Sequence, residues 1–277
     1  MRLFKLHLGW ALLALIAGCV LLFMYLPMFA IVGYSFNSNP IDMMVWENFS
    51  FTWYSTIFGI EELNSGASYE ESPKQLLKAL KNSLIVAAFT TVIATFIGTI
   101  TAIGLARYNI RFRKVYDTSL FLPMMMPDIL LGISLLIFFV EFGKTLGMVT
   151  VIIGHCTFLV SYVFIIVQSR MATLDPALEE ASSDLGASEW QTLRKVILPQ
   201  LAPGIIGGAL LSFIISMDDL VVTYFVSGTN STTLPVYILS MMRRGVKPEI
   251  NAIATLVMLS SFLIAALGLW LRNKKAS

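Results

Sequence analysis

Three carboxylates, Asp128, Asp218 and Asp219, interrupt long apolar runs. On biological insertion scales an aspartate at the centre of a membrane helix costs about 2.5–3.5 kcal/mol, so such residues tend to face a cavity or a partner. The chemistry open to them is charge pairing with a cation, or hydrogen bonding that holds a neighbouring helix. No Lys or Arg falls inside the same runs to neutralise them. An acidic path flanked by aromatics suits a cationic solute, through charge pairing and cation–π contact. An anion would call for buried Arg or Lys, or for helix N-termini aimed inward. Neighbouring side chains on a helix point about 100° apart. Asp218 and Asp219 therefore face one axis only if the helix breaks there; otherwise one of them is structural, bonded to a neighbouring helix or capping a break. Pro127 leaves Asp128 the same capping alternative.

Other reactive groups carry less. Gly143-Lys144-Thr145 resembles the end of a phosphate-binding loop, but the position five residues before Gly143 is Phe138 where glycine is required, and no strand–loop–helix frame surrounds it. His155 stands beside Cys156 without metal-ligand spacing and reads as a buried helix residue. Cys19 and Cys156 both lie in apolar runs and read as small buried hydrophobes. With no nucleophile–base pair and no metal set, neither catalysis nor a cofactor is expected. No nucleic-acid partner is expected either.

Hydrophobic residues make up 57% of the 277 positions and charged residues 13%, too little charge to cover a water-soluble domain. The solvent for most of the chain is lipid. A bilayer core about 30 Å thick takes roughly 20 apolar residues of helix. Six segments qualify: 9–36, 83–106, 118–140, 145–169, 203–226 and 250–271. The expected class is an all-α integral membrane protein of six transmembrane helices. The uncharged stretch from Leu8 to Ile41 is too long for a signal peptide and reads as a retained first membrane helix. Both termini are expected in the cytoplasm, which gathers Arg2, Lys5, Arg107, Arg111, Arg113, Lys114, Arg170, Arg194, Lys195, Arg272, Lys274 and Lys275 on the inside. Arg243, Arg244 and Lys247 then lie outside against the rule; an amphipathic segment, 234–244, lying along the outer surface is one way to carry them.

The first outer loop bears Asp42, Glu47, Glu61, Glu62, Glu70 and Glu71 with Trp46, Trp53 and Tyr54. It reads either as a solvated acidic loop with an interfacial aromatic belt, or as a landing surface for an external partner or a cation. Ala94, Gly98 and Ala102 recur every four residues, a spacing that lets helix backbones approach closely, and Gly204, Gly207 and Gly208 offer the same.

Between the fourth and fifth segments lies the longest charged inner loop, 170–200. Asp175 is placed to cap a short helix with Pro176 in its first turn, Gly186 breaks it, and Ser188 caps a second whose Trp190, Leu193 and Ile197 share a face. Pro199 is expected to end that second helix. By physics alone this bent element is either a packed inner cap or a docking knob.

The residues of this loop decide between the two by resemblance. Glu180-Ala181-Ser182, Gly186, Val196 and Leu198-Pro199 resemble the EAA loop of bacterial ABC importer permeases, with Ser182 for Ala and Val196 for Ile as departures. Tyr34-Ser35-Phe36-Asn37-Ser38, Trp53-Tyr54, Met126-Pro127-Asp128-Ile129, Ser212-Phe213, Ser216-Met217-Asp218-Asp219, Phe225-Val226-Ser227-Gly228 and Lys247-Pro248-Glu249-Ile250-Asn251-Ala252 are similar to the C-type permeases of spermidine/putrescine importers. The resemblance implies a type I ABC importer permease fold, with residues 1–277 forming one transmembrane domain and 170–200 its coupling loop. It implies residence in the cytoplasmic (inner) membrane and four kinds of neighbour: a homologous second permease, two cytoplasmic ATPase subunits, an external polyamine-binding protein and membrane lipid. It implies that the chain hydrolyses no ATP itself. Residues matching Trp53, Asp128, Glu189, Ser216, Asp218 and Asp219 are implicated in polyamine uptake in that family; Glu189, lying in the inner loop, reads as coupling, together with Glu180, Ala181, Gly186, Leu198 and Pro199. Two alternatives stand beside this: an importer of another small solute, and a cation-coupled secondary transporter using Asp128 and Asp218 as ion ligands, for which no inverted repeat speaks.

Overall fold

The structure, a computed structural model, describes residues 2–39, 45–58, 60, 71–108, 111–243, 250–259 and 262. Among these the chain is helical apart from turns and one isolated bridge between Asn37 and Phe49. Of the expected acidic loop, Asp42, Glu61, Glu62 and Glu70 lie outside the described residues, as do Arg244 and 247–249 and the C-terminal basic residues.

The chain divides into two compact units, Met1–Lys74 with Ser240–Ser277, and Gln75–Leu239. The helices in chain order are α1 (Arg2–Tyr34), α2 (Thr52–Ile57), α3 (Glu71–Arg107), α4 (Arg113–Met125), α5 (Asp128–Glu141), α6 (Met148–Met171), α7 (Ala177–Asp184), α8 (Glu189–Thr192), α9 (Leu198–Asp218), α10 (Val221–Val226), α11 (Leu234–Arg243) and α12 (Ile250–Leu259).

Six spans are not what the structure contains. Among the described residues, four helical stretches are long and apolar enough to cross a bilayer: Leu12–Tyr34, Gln75–Arg107, Met148–Met171 and Glu189–Asp218. A fifth exists only if α4 and α5 count together, and these meet at 103°. The expected segment 118–140 is broken because Pro127 has no N–H to donate and drives the residue before it out of the helical region; Met126 is extended at φ −71°, ψ 139°. Each arm, about 20 Å long at 1.5 Å per residue, is too short to span alone. Of the expected last segment, 250–271, the described residues are the ten of α12, about 15 Å, and Phe262; the others lie outside the described residues.

The expected stop at Pro199 also fails. Helix continues from Glu189 to Asp218, with a π-helical turn at Leu193–Ile197 placed just ahead of the proline. The wider turn removes the i−4 carbonyl from under the proline ring, so the chain passes through without ending. That extra residue also splits the expected apolar face, leaving Trp190 65% exposed while Ile197 is buried.

The core of the second unit gathers Ala94 and Ala102 of α3, Leu131 and Phe139 of α5, Leu159, Val163, Phe164 and Val167 of α6, Leu201 of α9 and Val222 and Val226 of α10. α6 is its axis. Gly98 lets α3 approach α6: a Cβ there would stand 2.9 Å from Val163 Cβ and 3.0 Å from both Phe164 N and Val160 O. Gly204 and Gly208 of α9 face Arg170 and Val163 of α6 in the same way, whereas Gly207 meets nothing. Because two of the Gly98 contacts are backbone, Gly98→Leu should separate α3 from α6 and cost about 1–3 kcal/mol. Thermal unfolding of the purified protein in detergent would report it, with the exposed Ile100→Leu as an unaffected control.

In the first unit, α1 buries none of its apolar span. Beyond it, Asn37 organises the turn that follows: its Nδ2 donates to Val45 O at 2.8 Å and its Oδ1 accepts from Glu47 N at 3.0 Å. α11, whose residues up to Leu239 belong to the second unit and the rest to the first, buries Val236, Tyr237 and Met241 and exposes Met242 and Arg243, an amphipathic arrangement.

Candidate functional site

Two places in the second unit collect the residues singled out by type. The first is the gap between α9 and α10. α9 stops at Asp218, Asp219 is extended at φ −64°, ψ 122°, and α10 begins at Val221. A helix start leaves N–H groups without partners. Asp219 Oδ2 supplies one, accepting from Thr223 N at 2.8 Å and from Thr223 Oγ1 at 2.7 Å. From α6, the buried ring of His155 reaches the same place: Nε2 lies 3.1 Å from Asp219 Oδ2 and 2.9 Å from Thr223 Oγ1, and Nδ1 lies 2.8 Å from Ser216 Oγ. The helix is thus broken where two adjacent aspartates stand, and Asp219 is the structural one. Asp218 is exposed in the chain alone.

Asp128 is the first residue of α5, directly after the bend at Pro127, and is likewise exposed. Both free carboxylates therefore sit beside interruptions of helix, α5 and α10 packing against one another. Trp53 belongs to the first unit. It is 1% exposed and donates from Nε1 to Asn37 O at 2.6 Å, with Tyr54 Oη 2.6 Å from Ser35 Oγ beside it. Its indole is packed into the turn that it holds.

The second place is the bent element between α6 and α9. Asp175 Oδ1 accepts from Ala177 N at 3.0 Å, α7 runs to Asp184, and Gly186 adopts φ +79°. Ser188 and Gln191 form a reciprocal cap, with Ser188 N donating to Gln191 Oε1 at 3.0 Å and Gln191 N donating to Ser188 Oγ at 3.4 Å. Ser182 Oγ lies 2.9 Å from Thr192 Oγ1 and ties the two short helices together. Glu180, Ala181, Gly186, Glu189 and Pro199 are all exposed and Leu198 half-buried; Leu185 is 89% exposed. α7 is fastened to the end of α3 by Arg107, whose Nη2 lies 2.7 Å from Glu179 Oε2. A cavity of about 980 Å³ opens between α7 and the C-terminal ends of α3 and α6, with Arg107, Arg113, Glu180 and Glu189 on its walls.

A partly exposed ion pair holds with about 0.2–1 kcal/mol. Arg107→Gln should therefore raise the rate of limited proteolysis within 172–187 by up to about fivefold. Exchanging the partners, Arg107→Glu with Glu179→Arg, should restore protection; no recovery would show that the pair does not hold α7.

The family model described as "Binding-protein-dependent transport system inner membrane component" matches residues 94–274. The chain belongs to this family. It is a multi-pass inner-membrane transport permease, the non-catalytic component of its system. The permease is 37% identical over 252 residues to the spermidine/putrescine transport system permease protein PotC of Haemophilus influenzae, 91% of this chain and 93% of the relative. It is 38% identical over 257 residues to the putrescine transport system permease protein PotI of Escherichia coli (strain K12), covering 90% and 85%. Its fold resembles a chain in the crystal structure of a bacterial ABC transporter involved in the import of the acidic polysaccharide alginate, with a TM-score of 0.70 over 96% of both chains at 15% identity.

Within the permease, sequence reasoning missed two groups that the structure brings to these places. Thr223 and Arg107 carry bonds that no local pattern assigned. A signal existed for the first: Ser212, Ser216, Asp219 and Thr223 recur at spacings of four, three and four, a polar stripe on what would be one helix face. Among the described residues no cluster of His, Cys, Asp and Glu could hold a metal.

Proposed function

We propose that this permease carries polyamines of the spermidine and putrescine type across the inner membrane, as half of a pair with a homologous permease. Two cytoplasmic ATPase subunits drive the pair and an external polyamine-binding protein loads it. The observation that carries this reading is identity above a third, over about nine tenths of both chains, to a permease of a spermidine/putrescine system. The chemistry agrees: Asp128 and Asp218 are exposed carboxylates beside helix breaks, suited to a solute bearing ammonium groups. Trp53, Ser216 and Asp219 serve the route by holding backbone in place. Glu180, Ala181, Gly186 and Glu189 form the surface gripped by the ATPase, and Leu198 and Pro199 pass its movement into α9. The basic residues Arg107, Arg113, Arg170, Arg194 and Lys195 put the bent element in the cytoplasm, and Arg2, Lys5, Arg272, Lys274 and Lys275 put both termini on that side by the same rule.

The test is uptake of labelled putrescine and spermidine by the complete complex in proteoliposomes, with unlabelled diamines, amino acids and sugars as competitors. Competition confined to polyamines, and dependent on ATP, is the expected result. Competition by an unrelated solute would move the substrate class, and flux driven by an ion gradient without nucleotide would replace the mechanism with a secondary one.

A further inference from the structure

His155 is fully buried in the N-terminal half of α6, yet both nitrogens of its ring are engaged, and their bonds reach the chain on both sides of the α9–α10 break. Nδ1 meets Ser216, in the last turn of α9. Nε2 meets Asp219, in the extended linker, and Thr223, in the first turn of α10. The protonation pattern follows from the partners. Thr223 Oγ1 gives its own hydrogen to Asp219 Oδ2, so it accepts from His155; Nε2, facing a carboxylate and this hydroxyl oxygen, carries the proton. Nδ1 and Ser216 Oγ share the remaining bond at 2.8 Å. The Asp219–Thr223 bonds, lying within four residues of sequence, cap α10 but do not set where the break lies relative to the rest of the unit. A ring from α6 that bonds the chain before and after the break does.

We propose that His155 is a positioning residue for transport. It pins the break between α9 and α10 to α6, and so fixes the direction in which Asp218, one residue before the pinned Asp219, presents its carboxylate to the cationic solute. This rests on the reading of Asp218 as a residue of the polyamine route. The polar stripe Ser216–Asp219–Thr223 then acts through His155, and Asp218 alone of the adjacent pair touches the solute.

The test compares His155→Leu, His155→Gln and Asp218→Asn, singly and as the double variant His155→Leu with Asp218→Asn, in the assembled complex. A glutamine amide reaches the position of Nε2 and keeps a donor toward Asp219; leucine fills space without one. His155→Leu should raise KM for putrescine by about tenfold or more, with little change in ATP-dependent maximal rate, as expected for a lost bond to a charged group. His155→Gln should stay within about threefold of the parent. Asp218→Asn should cost about tenfold alone but less than about twofold on the His155→Leu background, because its placement is already lost. Gln as damaging as Leu, or an Asp218→Asn cost equal in both backgrounds, overturns the proposal. If Asp218→Asn has no effect in the parent, the route reading itself fails, and the Gln-against-Leu comparison still decides whether His155 positions the break. Should His155→Leu not assemble, Ser216→Ala takes its place: it removes the bond that ties the ring to the chain before the break, and an unchanged KM there would be equally decisive against.

Discussion

A permease carrying Gly186→Pro should reach the membrane and pair there, yet lose its ATPase partner on purification and import less than about a tenth of the normal flux. The bend between α7 and α8 depends on Gly186 at φ +79°, and its N–H donates to Ser183 O at 2.9 Å. Proline is locked near −65° and has no N–H, so both supports vanish together. Since α7 and α8 pack only a short interface, with Ser182 and Thr192 its polar tie, the loss falls on the elbow and leaves the core around α6 standing. Gly186→Asn tolerates the left-handed region and should retain the ATPase, while Gly186→Val should fall between, at about 1–2 kcal/mol. Stoichiometric co-purification of the proline variant with the ATPase would show that the bend is not what the partner grips.

The two adjacent aspartates should separate by phenotype. Asp219→Ala removes the acceptor for Thr223 N, Thr223 Oγ1 and His155 Nε2 at once and should destabilise the purified protein by about 1–3 kcal/mol. Asp218→Ala breaks no bond of this kind and should unfold at the parent's temperature, while polyamine uptake drops by about tenfold. Thermal unfolding in detergent, set beside uptake in proteoliposomes, gives both numbers on the same preparations. Equal stability losses for the two would contradict the division of labour between a structural and an exposed carboxylate.

What the sequence by itself determined was local in character. Apolar composition chose lipid as solvent. The spacing of Glu180, Gly186 and Pro199 announced the bent element and its family, and the 100° offset between Asp218 and Asp219 already required that they differ in role or that the helix break. Ala94, Gly98 and Ala102 announced a close helix approach, because a four-residue repeat is written along one face. The tertiary structure decided the rest. Apolar length predicted six crossings, but a proline converts one run into two arms at 103°, and hydropathy carries no information about direction. Pro199 was legible as a stop and is absorbed by a π turn, since neighbouring residues can widen the helix ahead of it. Trp53 and Asn37 are bonded at a separation of 16 residues, Arg107 and Glu179 at 72, and His155 and Asp219 at 64. Which aspartate is tied down and which is left free depends on a ring delivered by another helix, and chain order does not encode that proximity; only packing creates it.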